Sequence, residues 1–241
     1  MDTRLYIDDV PENWPVSTGH LPPATQVDTL LAEAHTRFKS LDEGKVADYI
    51  PALAATPKDL FGICVVATSG DVFSIGDTDY EFSIQSISKP FVFALVSQAL
   101  SCQQARYKIG VNATGLPFNS VMAIELNESR TMNPMVNAGA IATTSLVPGA
   151  TADEKWQFIH DGLSRLAGRR LTLNTEVYES EAASNQRNQG IAHLLEGYGR
   201  MYFDPLQATD VYTKQCSLNV SVRDLAVMGG RSSAMPANVL E

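Results

Sequence analysis

Residues Phe82–Pro90 read FSIQSISKP and connect a strand-like segment to the strongly apolar run PFVFALVSQAL, which begins at Pro90. This run predicts a buried helix, and Pro90 is tolerated because most backbone N–H groups of a first helical turn lack an intrahelical partner. Ser86 therefore lies at or near a helix N-terminus, where the helix dipole and the free N–H groups favour negative charge. Lys89 follows one helical turn later, on the same face as Ser86.

The pair Ser86 and Lys89 has the spacing of a nucleophile and its base. Desolvation among Ile, Phe and Val side chains disfavours the ammonium form of a lysine, and a neutral amine can take a serine proton. The pattern S-x-x-K is a weak signal by itself. A plainer interpretation makes Ser86 a helix cap and Lys89 a surface residue whose stem covers apolar neighbours.

Composition limits the class of partner. The 241 residues, 44% of them hydrophobic, suffice for one large domain or two small ones, and 27 acidic against 18 basic side chains leave no basic stripe for nucleic acid or anionic lipid. The three cysteines show no C-x-x-C spacing, as is usual in reducing compartments. The start MDTRLYIDDV lacks a secretory pattern, and no apolar run approaches the roughly 18 residues of a membrane span. We expect a cytoplasmic protein that binds a small molecule or a protein, without nucleic acid or membrane.

Upstream of Phe82 the chain predicts an arm, a helix and a hairpin. Residues 1–24 are rich in Pro, Asp and Thr and predict a loosely held arm. Apolar residues at helical spacing predict an amphipathic helix from Gln26 that stops near Gly44. Tyr49 precedes Ile50-Pro51, which favours a short extended or turning segment. The runs FGICVVAT and DVFSIGD, separated by Ser69-Gly70, predict two antiparallel strands.

Three polar clusters follow the apolar helix, and each also has a structural explanation. Asn137, in TMNPMVNAGAIATTSL, precedes a closely packed helical run and is also a candidate helix cap. Glu181 and Asn188 are seven residues apart and share one face if their segment is helical, although charge pairs on a solvated face give the same pattern. Tyr212 precedes the strand-like CSLNV, where an aromatic more often packs than binds a ligand.

Taken together, these segments resemble the serine-dependent glutaminase family. The blocks that carry the resemblance are KVADYIPALA, FSIGDTDYEF, IQSISKPF, FNS, NPMVNAGAI, VYESEAASNQRN and CSLNVSVRDLAVM, which extend from about Gln26 to Met228. The family consists of L-glutamine amidohydrolases related in fold to class A β-lactamases and penicillin-binding proteins. The resemblance implies an α+β, β-lactamase/transpeptidase-like fold, with an antiparallel sheet flanked by helices plus a helical subdomain.

The resemblance also implies a role for each site residue. Ser86 is expected to be the acylated nucleophile, Lys89 its base, and Tyr49 the catalytic tyrosine that relays protons. The substrate L-glutamine is expected to contact Gln85, Ser86, Asn137, Glu181, Asn188 and Tyr212. Neither a metal nor an organic cofactor is expected, and His20, His35, His160 and His193 show no ligand spacing. Family members are usually homo-oligomers.

Two stretches depart from the family pattern. GVNATGLPFNS stands where the family usually has Gly-x-Glu-Pro-Ser-Gly, and similarity is lost after Met228, where the chain reads GGRSSAMPANVLE. We therefore expect a glutaminase domain over 25–228 that is incomplete at its C-terminus, and a non-family tail over 229–241 without secondary structure. Missing C-terminal strands would leave the FGICVVAT hairpin with an unpaired edge and an exposed apolar face. Reduced stability and low or absent activity follow from that expectation.

Two other functions stay open at this point. A β-lactam-interacting acyl hydrolase of the same fold would share S-x-x-K but should carry S-D-N and K-T-G elements, and the sequence has neither. A catalytically inactive truncated glutaminase that acts as a binding or assembly module is favoured by the expected loss of the C-terminal segment. The presence of Tyr49, Ser86 and Lys89 argues against that alternative.

Overall fold

The structure is a computed structural model that describes residues 22–67, 69–130 and 132–233. Helices dominate these residues, and a 3-10 turn, Gln85–Ile87, links the third strand to the third helix. The elements, in chain order, are α1 Ala24–Phe38, α2 Pro51–Ala54, β1 Gly62–Val66, β2 Val72–Gly76, β3 Phe82–Ser83, α3 Ser88–Leu100, α4 Cys102–Ile109, α5 Met122–Glu125, α6 Asn137–Leu146, α7 Ala152–Ala167, β4 Thr172–Leu173, α8 Thr175–Ala183, α9 Gln186–Gly197, α10 Pro205–Cys216, β5 Leu218–Val220 and α11 Val222–Ser233.

The predicted hairpin is confirmed. Strands β1 and β2 pair antiparallel with Gly62 opposite Gly76, and Gly70 in the connecting turn has a φ of 99°, which glycine adopts without steric cost. Helices α1 and α11 pack against the hairpin, and every residue of β1 is half-buried. The apolar face is thus partly covered rather than exposed. The second edge of β1 has no strand partner within the described ranges.

A second antiparallel sheet places the Ser86 turn. Its order is β3-β5-β4, with Phe82 opposite Val220 and Leu173 opposite Leu218. The central strand β5 lies within the predicted strand CSLNV, so that prediction is confirmed. The described strands fall into two sheets where one was expected. Since β3 is hydrogen-bonded to β5, the position of the following turn, Gln85–Ile87, is set by the sheet.

Two apolar clusters form the core, and α10 contributes to both. The first cluster joins α3, α7, α11 and the second sheet, and the second joins α5, α6, α9 and α10. On α10, Val211 belongs to the first cluster, whereas Tyr212 and Cys216 belong to the second. Side chains at this seam between the clusters can reach a common cleft. In the part of the chain that the structure describes, no helix is both long and apolar enough to cross a membrane.

The structure describes only part of each predicted chain end. Residues 1–21, most of the predicted arm, lie outside the described residues, and α1 begins at Ala24. The expectation that residues 229–241 lack secondary structure is wrong for residues 229–233, because α11 runs to Ser233. The helix continues because it packs closely: a Cβ on Gly230 would lie 3.0 Å from Val66 Cγ1, and Arg231 donates to the carbonyl oxygen of Arg165. Residues 234–241 lie outside the described residues.

The buried carboxylate of Asp224 ties α11 to the loop before β4, and we predict that it stabilises the fold. Asp224 accepts bonds from Arg169 Nε at 3.0 Å, Arg169 Nη2 at 2.7 Å and the Ser221 backbone N–H at 2.8 Å. Burial alone would raise the pKa of Asp224, but the bonds from Arg169 and Ser221 outweigh it and hold the pKa below its ordinary value. Asp224→Asn is expected to lower the free energy of unfolding by about 1–3 kcal/mol at pH 7.

The pH dependence of that loss follows from the lowered pKa. The carboxylate stabilises the folded state above its unfolded pKa of about 3.9, and this contribution disappears as the pH falls through the lower folded value. Urea unfolding of both proteins between pH 3 and pH 7 should show the difference shrinking at the acid end. A difference that stays constant with pH would contradict the assignment.

Candidate active site

Ser86 lies exposed on the 3-10 turn between β3 and α3, at the edge of a cleft of about 360 Å³. The preceding residue, Gln85, has a φ of 49°, which is uncommon for a residue with a side chain. Its side-chain nitrogen donates to Ser83 Oγ at 3.1 Å, so the turn is tied back to β3. Backbone conformations of this kind cluster at functional sites. The sequence prediction that Ser86 lies near the N-terminus of an apolar helix is confirmed.

Lys89, in the first turn of α3, is only 3% exposed. Its Nζ donates to the Met135 carbonyl oxygen at 3.1 Å and to Asn137 Oδ1 at 2.9 Å. The Phe118 ring lies 5.7 Å from the same nitrogen. Burial lowers the pKa of Lys89, because the charged form loses its hydration. The interpretation of Lys89 as a surface residue is therefore wrong.

The hydrogen bonds of Lys89 suit a neutral amine. A neutral amine has two N–H bonds and one lone pair, and the carbonyl of Met135 and the amide oxygen of Asn137 accept both N–H bonds. The lone pair is then left as the acceptor for a further proton. An ammonium group would have a third N–H bond to satisfy in this buried position.

A chain of amides leads from Lys89 into the cleft. Asn137 is the first residue of α6, and its Nδ2 donates to Asn188 Oδ1 at 3.0 Å. The Asn137 amide oxygen accepts from Lys89, so the Asn137 NH₂ group faces Asn188, and the Asn188 amide oxygen accepts in turn. The Asn188 NH₂ group is therefore left for a ligand. The cap of α6 is Val136, so the interpretation of Asn137 as a helix cap is wrong.

Tyr49 joins the site from the bend before α2. Its hydroxyl donates to Glu181 Oε1 at 3.0 Å and approaches Gln85 Oε1 at 3.4 Å. The side chain as a whole is 62% exposed, but its hydroxyl points into the cleft. Burial of this hydroxyl and the adjacent Glu181 carboxylate raise the pKa of Tyr49, so the phenol stays protonated through the neutral range. The extended backbone of Ile50, at φ −134° and ψ 148°, agrees with the turn predicted before Pro51.

Glu181 and Asn188 line the same cleft, although not on one continuous helix. Glu181 is on α8, which ends at Ala183, and Asn188 is on α9, which begins at Gln186. The prediction of a shared helical face is therefore wrong. The break arises because Ser184 Oγ donates to the Ser180 carbonyl at the end of α8, and Asn185 turns inward to donate to Thr213 Oγ1 at 2.8 Å.

Tyr212, on α10, is only 4% exposed yet borders the cleft. Burial raises the pKa of Tyr212 well above its ordinary value, and a hydrogen bond with the Cys216 thiol acts in the same direction. A hydrogen bond with the Ser86 hydroxyl has the opposite effect on the pKa. Tyr212 thus belongs to the core cluster and also contacts the proposed nucleophile.

The cleft has further lining residues that the sequence did not indicate, and the most buried of them lie at the seam between helices. Asn185 could have indicated the break between α8 and α9, because an asparagine within a helical pattern has a side chain suited to ending helices. Within the described residues no group of three or more His, Cys, Asp or Glu side chains is placed to hold a metal ion. The additional lining residues are Phe118, Asn119, Ser184, Asn185, Arg187, Thr213 and Cys216.

Comparison with known proteins gives this cleft a family context. The family model for glutaminase matches residues 44–235. Glutaminase 2 of Yersinia pestis is 63% identical over 214 residues, which are 89% of this chain and 63% of that protein. A glutaminase of Mycobacterium ulcerans is 46% identical over 204 residues, or 85% of this chain and 64% of that protein. The chain thus spans just under two thirds of the length of these relatives.

Solved structures agree with the sequence comparison. A probable glutaminase, YbaS, superposes with a TM-score of 0.85 at 42% identity, over 87% of this chain and 68% of that one. A probable glutaminase from Bacillus subtilis, complexed with 6-diazo-5-oxo-L-norleucine, superposes with a TM-score of 0.70 at 30% identity, over 87% of this chain and 63% of that one. The predicted α+β, β-lactamase-like fold class is confirmed. The family model and the relatives together show that this chain belongs to the glutaminase family.

Proposed function

We propose that this protein hydrolyses L-glutamine to L-glutamate and ammonia through a serine acyl-enzyme. The observation that carries the proposal is the buried Lys89, whose two acceptors, Met135 O and Asn137 Oδ1, leave the lone pair of a neutral amine unused one turn after Ser86. A base with a lowered pKa beside an exposed serine hydroxyl is the usual requirement for nucleophilic catalysis. Family membership and the names of the relatives support glutamine as the substrate.

The reaction takes place in two steps, acylation of Ser86 and hydrolysis of the acyl-enzyme. Ser86 Oγ attacks the γ-amide carbon while its proton passes to Lys89 Nζ, and the tetrahedral intermediate collapses when Lys89 returns that proton to the departing nitrogen as ammonia. Water then attacks the glutamyl ester and gives a proton to Lys89, and Lys89 returns that proton to Ser86 Oγ as glutamate leaves. The first turn of α3 favours the negative charge of each intermediate.

Tyr49 and Tyr212 act in this scheme as protonated phenols. The pKa of each is raised, for Tyr49 by burial and by Glu181, and for Tyr212 chiefly by burial. A phenol that remains protonated can pass on a proton only when it receives another, so Tyr49 relays protons rather than acting as a free base. The Tyr212 hydroxyl lies beside that of Ser86 in the cleft and can steady it.

The polar groups of the cleft suit the zwitterionic end of an amino acid. The Glu181 carboxylate, held by Tyr49, can bind the α-ammonium group, and the Asn188 NH₂ group can donate to the α-carboxylate. Gln85 and Asn137 hold these groups in position from either side. The cleft volume of about 360 Å³ falls within the roughly 300–1,000 Å³ of small-molecule sites.

The direct test is glutamate release by the purified chain, followed with a glutamate dehydrogenase-coupled assay. L-Glutamine is expected to be turned over, and L-asparagine and a β-lactam serve as comparison substrates. Hydrolysis of the β-lactam in place of glutamine would contradict the proposal. The diazoketone 6-diazo-5-oxo-L-norleucine, present in the Bacillus subtilis complex, should label Ser86 with loss of dinitrogen, as measured by mass spectrometry of tryptic peptides.

Glu181→Gln is expected to raise KM for glutamine about 10- to 100-fold with a smaller effect on kcat, because a hydrogen bond to a charged group contributes about 1.5–3 kcal/mol. The variant keeps the shape of the side chain and an acceptor for Tyr49. Glu176→Gln is the matched control, since Glu176 is an exposed carboxylate on the same helix. An equal rise in KM for both variants would assign the effect to net charge rather than to ammonium binding.

Homo-oligomer formation stays a prediction from the family resemblance, and a cytoplasmic location stays a prediction from the cysteine spacing and the lack of a secretory pattern. Sedimentation velocity of the purified chain over a range of concentrations tests the first of them. A monomer at every concentration would contradict it.

A further inference from the structure

A line of fully buried polar side chains lies directly beneath the cleft. Gln215 Nε2 donates to Ser88 Oγ at 3.1 Å, and Thr144 Oγ1 donates to Gln215 Oε1 at 3.0 Å. Ser88 Oγ is also 3.8 Å from Cys216 Sγ. Gln215 is 1% exposed, and Ser88 and Thr144 are not exposed at all. These residues belong to three helices, α3, α6 and α10.

Each of the three helices also carries a side chain of the proposed site. Ser88 directly precedes Lys89 on α3, Gln215 follows Tyr212 by three residues on α10, and Thr144 follows Asn137 by seven residues on α6. Residues three or seven apart lie on one helical face. The Gln215 amide therefore connects the three helices that hold Lys89, Asn137 and Tyr212.

Gln215 is both a donor and an acceptor in this line of buried side chains. The Gln215 amide donates to Ser88, whose proton can then point at the sulfur of Cys216. The Gln215 amide oxygen accepts from Thr144, whose single proton it shares with the Ala140 carbonyl oxygen. Burial raises the pKa of Cys216 to about 11, and the thiol therefore adds no charge to this dry region. Any shift of one helix against the others would leave a buried polar group unsatisfied, at a cost of about 1–3 kcal/mol.

We propose that Gln215 is a positioning residue: it holds the turn from Gln85 to Lys89 against α10 and α6, and so sets the separation of the Ser86 hydroxyl from the Lys89 amine. This inference rests on the proposed function. Ser88 is the contact through which Gln215 acts, because Ser88 is the first residue of α3 and lies between Ser86 and Lys89 in the sequence. A displacement of about 1 Å at a reacting centre can lower a rate 10²-fold.

The test compares Gln215→Met with Thr209→Val in the full chain. Methionine keeps much of the volume of glutamine but removes both hydrogen bonds. Thr209 is an equally buried polar residue on the same helix, but its hydroxyl donates to the Pro205 carbonyl of its own helix and, within the described residues, joins no other element. Both variants lose a buried polar group, and only Gln215→Met loses a link between helices.

For Gln215→Met we expect kcat for glutamine to fall about 10- to 100-fold with little change in KM. The acid limb of its pH–rate profile should move to higher pH, because water that enters at the start of α3 restores the charged form of Lys89. Thr144→Val combined with Gln215→Met should be no slower than Gln215→Met alone, since both changes cut the same link. Thr209→Val should keep the kinetics and the pH profile of the parent protein.

Unchanged kinetics and an unchanged pH profile in Gln215→Met would overturn the inference, as would equal losses in Thr209→Val. If the parent chain neither hydrolyses glutamine nor reacts with 6-diazo-5-oxo-L-norleucine, the proposed function fails and hydrogen exchange of the peptide spanning residues 84–92 decides instead. Faster exchange there in Gln215→Met, but not in Thr209→Val, supports the positioning role. Equal exchange in both variants overturns it.

Discussion

Ser86→Ala is expected to lower kcat/KM for glutamine by about 10⁴-fold or more, because removal of a nucleophile abolishes the covalent route. It should also abolish labelling by 6-diazo-5-oxo-L-norleucine. The coupled glutamate assay measures the first effect and peptide mass spectrometry the second. Circular dichroism should show an unchanged fold, because Ser86 is exposed and on a turn whose backbone contacts the substitution leaves in place.

Ser97→Ala is a matched control for this substitution. Ser97 is a buried serine on α3, and its hydroxyl has no hydrogen-bond partner in the described part of the chain. Its removal should leave both activity and labelling unchanged. Retention of a tenth or more of the parent activity in Ser86→Ala would show that another group attacks the substrate.

Lys89→Met is expected to have the second largest effect and to lower kcat about 10²–10⁴-fold. The variant removes the proton acceptor while it keeps an unbranched apolar stem in a buried site. Lys155→Met is the control, because Lys155 is also buried and also has a pKa lowered by burial, but its Nζ donates to the carbonyls of Ser145 and Val147 at the end of α6. It should lose stability and keep the rate per folded molecule.

The pH dependence gives an independent measure of the same role. Lys89 accepts a proton only when it is neutral, so kcat/KM should rise with pH as Lys89 loses its charge. Because burial lowers the pKa of Lys89, the midpoint of this rise should lie below the ordinary lysine value of about 10.4. A profile of kcat/KM against pH that rises only above that value would contradict Lys89 as the base.

The burial of Lys89 decides between two interpretations that the sequence left open. The spacing of Ser86 and Lys89 suited either a catalytic pair or a cap with a surface lysine, since periodicity records which face a residue is on but not what covers that face. The face is covered by Phe118 and by the segment that carries Met135 and Asn137, which lie 29 to 48 residues further along the chain. Only folding brings them over the lysine.

For Glu181 and Asn188 the sequence indicated the right residues but the wrong local geometry. Local spacing predicted one face of one helix, and that geometry is wrong, yet both side chains reach the cleft. The break between α8 and α9 depends on the bond from Asn185 to Thr213 of α10, a contact across 28 residues. Propensity could not have located it, because tertiary contacts override local preference.

By itself the sequence determined the hairpin β1–β2, the apolar helix α3 behind a serine, the strand β5 and the family to which the blocks point. Those features depend on periodicity and turn chemistry, which act over a few residues. The tertiary structure alone decided that Lys89 is buried, that the amide chain from Lys89 orients Asn188, and that Gln215 links α3, α6 and α10. Burial and hydrogen-bond direction depend on groups distant in sequence, so the sequence named FSIQSISKP as a catalytic candidate, but only the surrounding helices bury Lys89 and orient its partners.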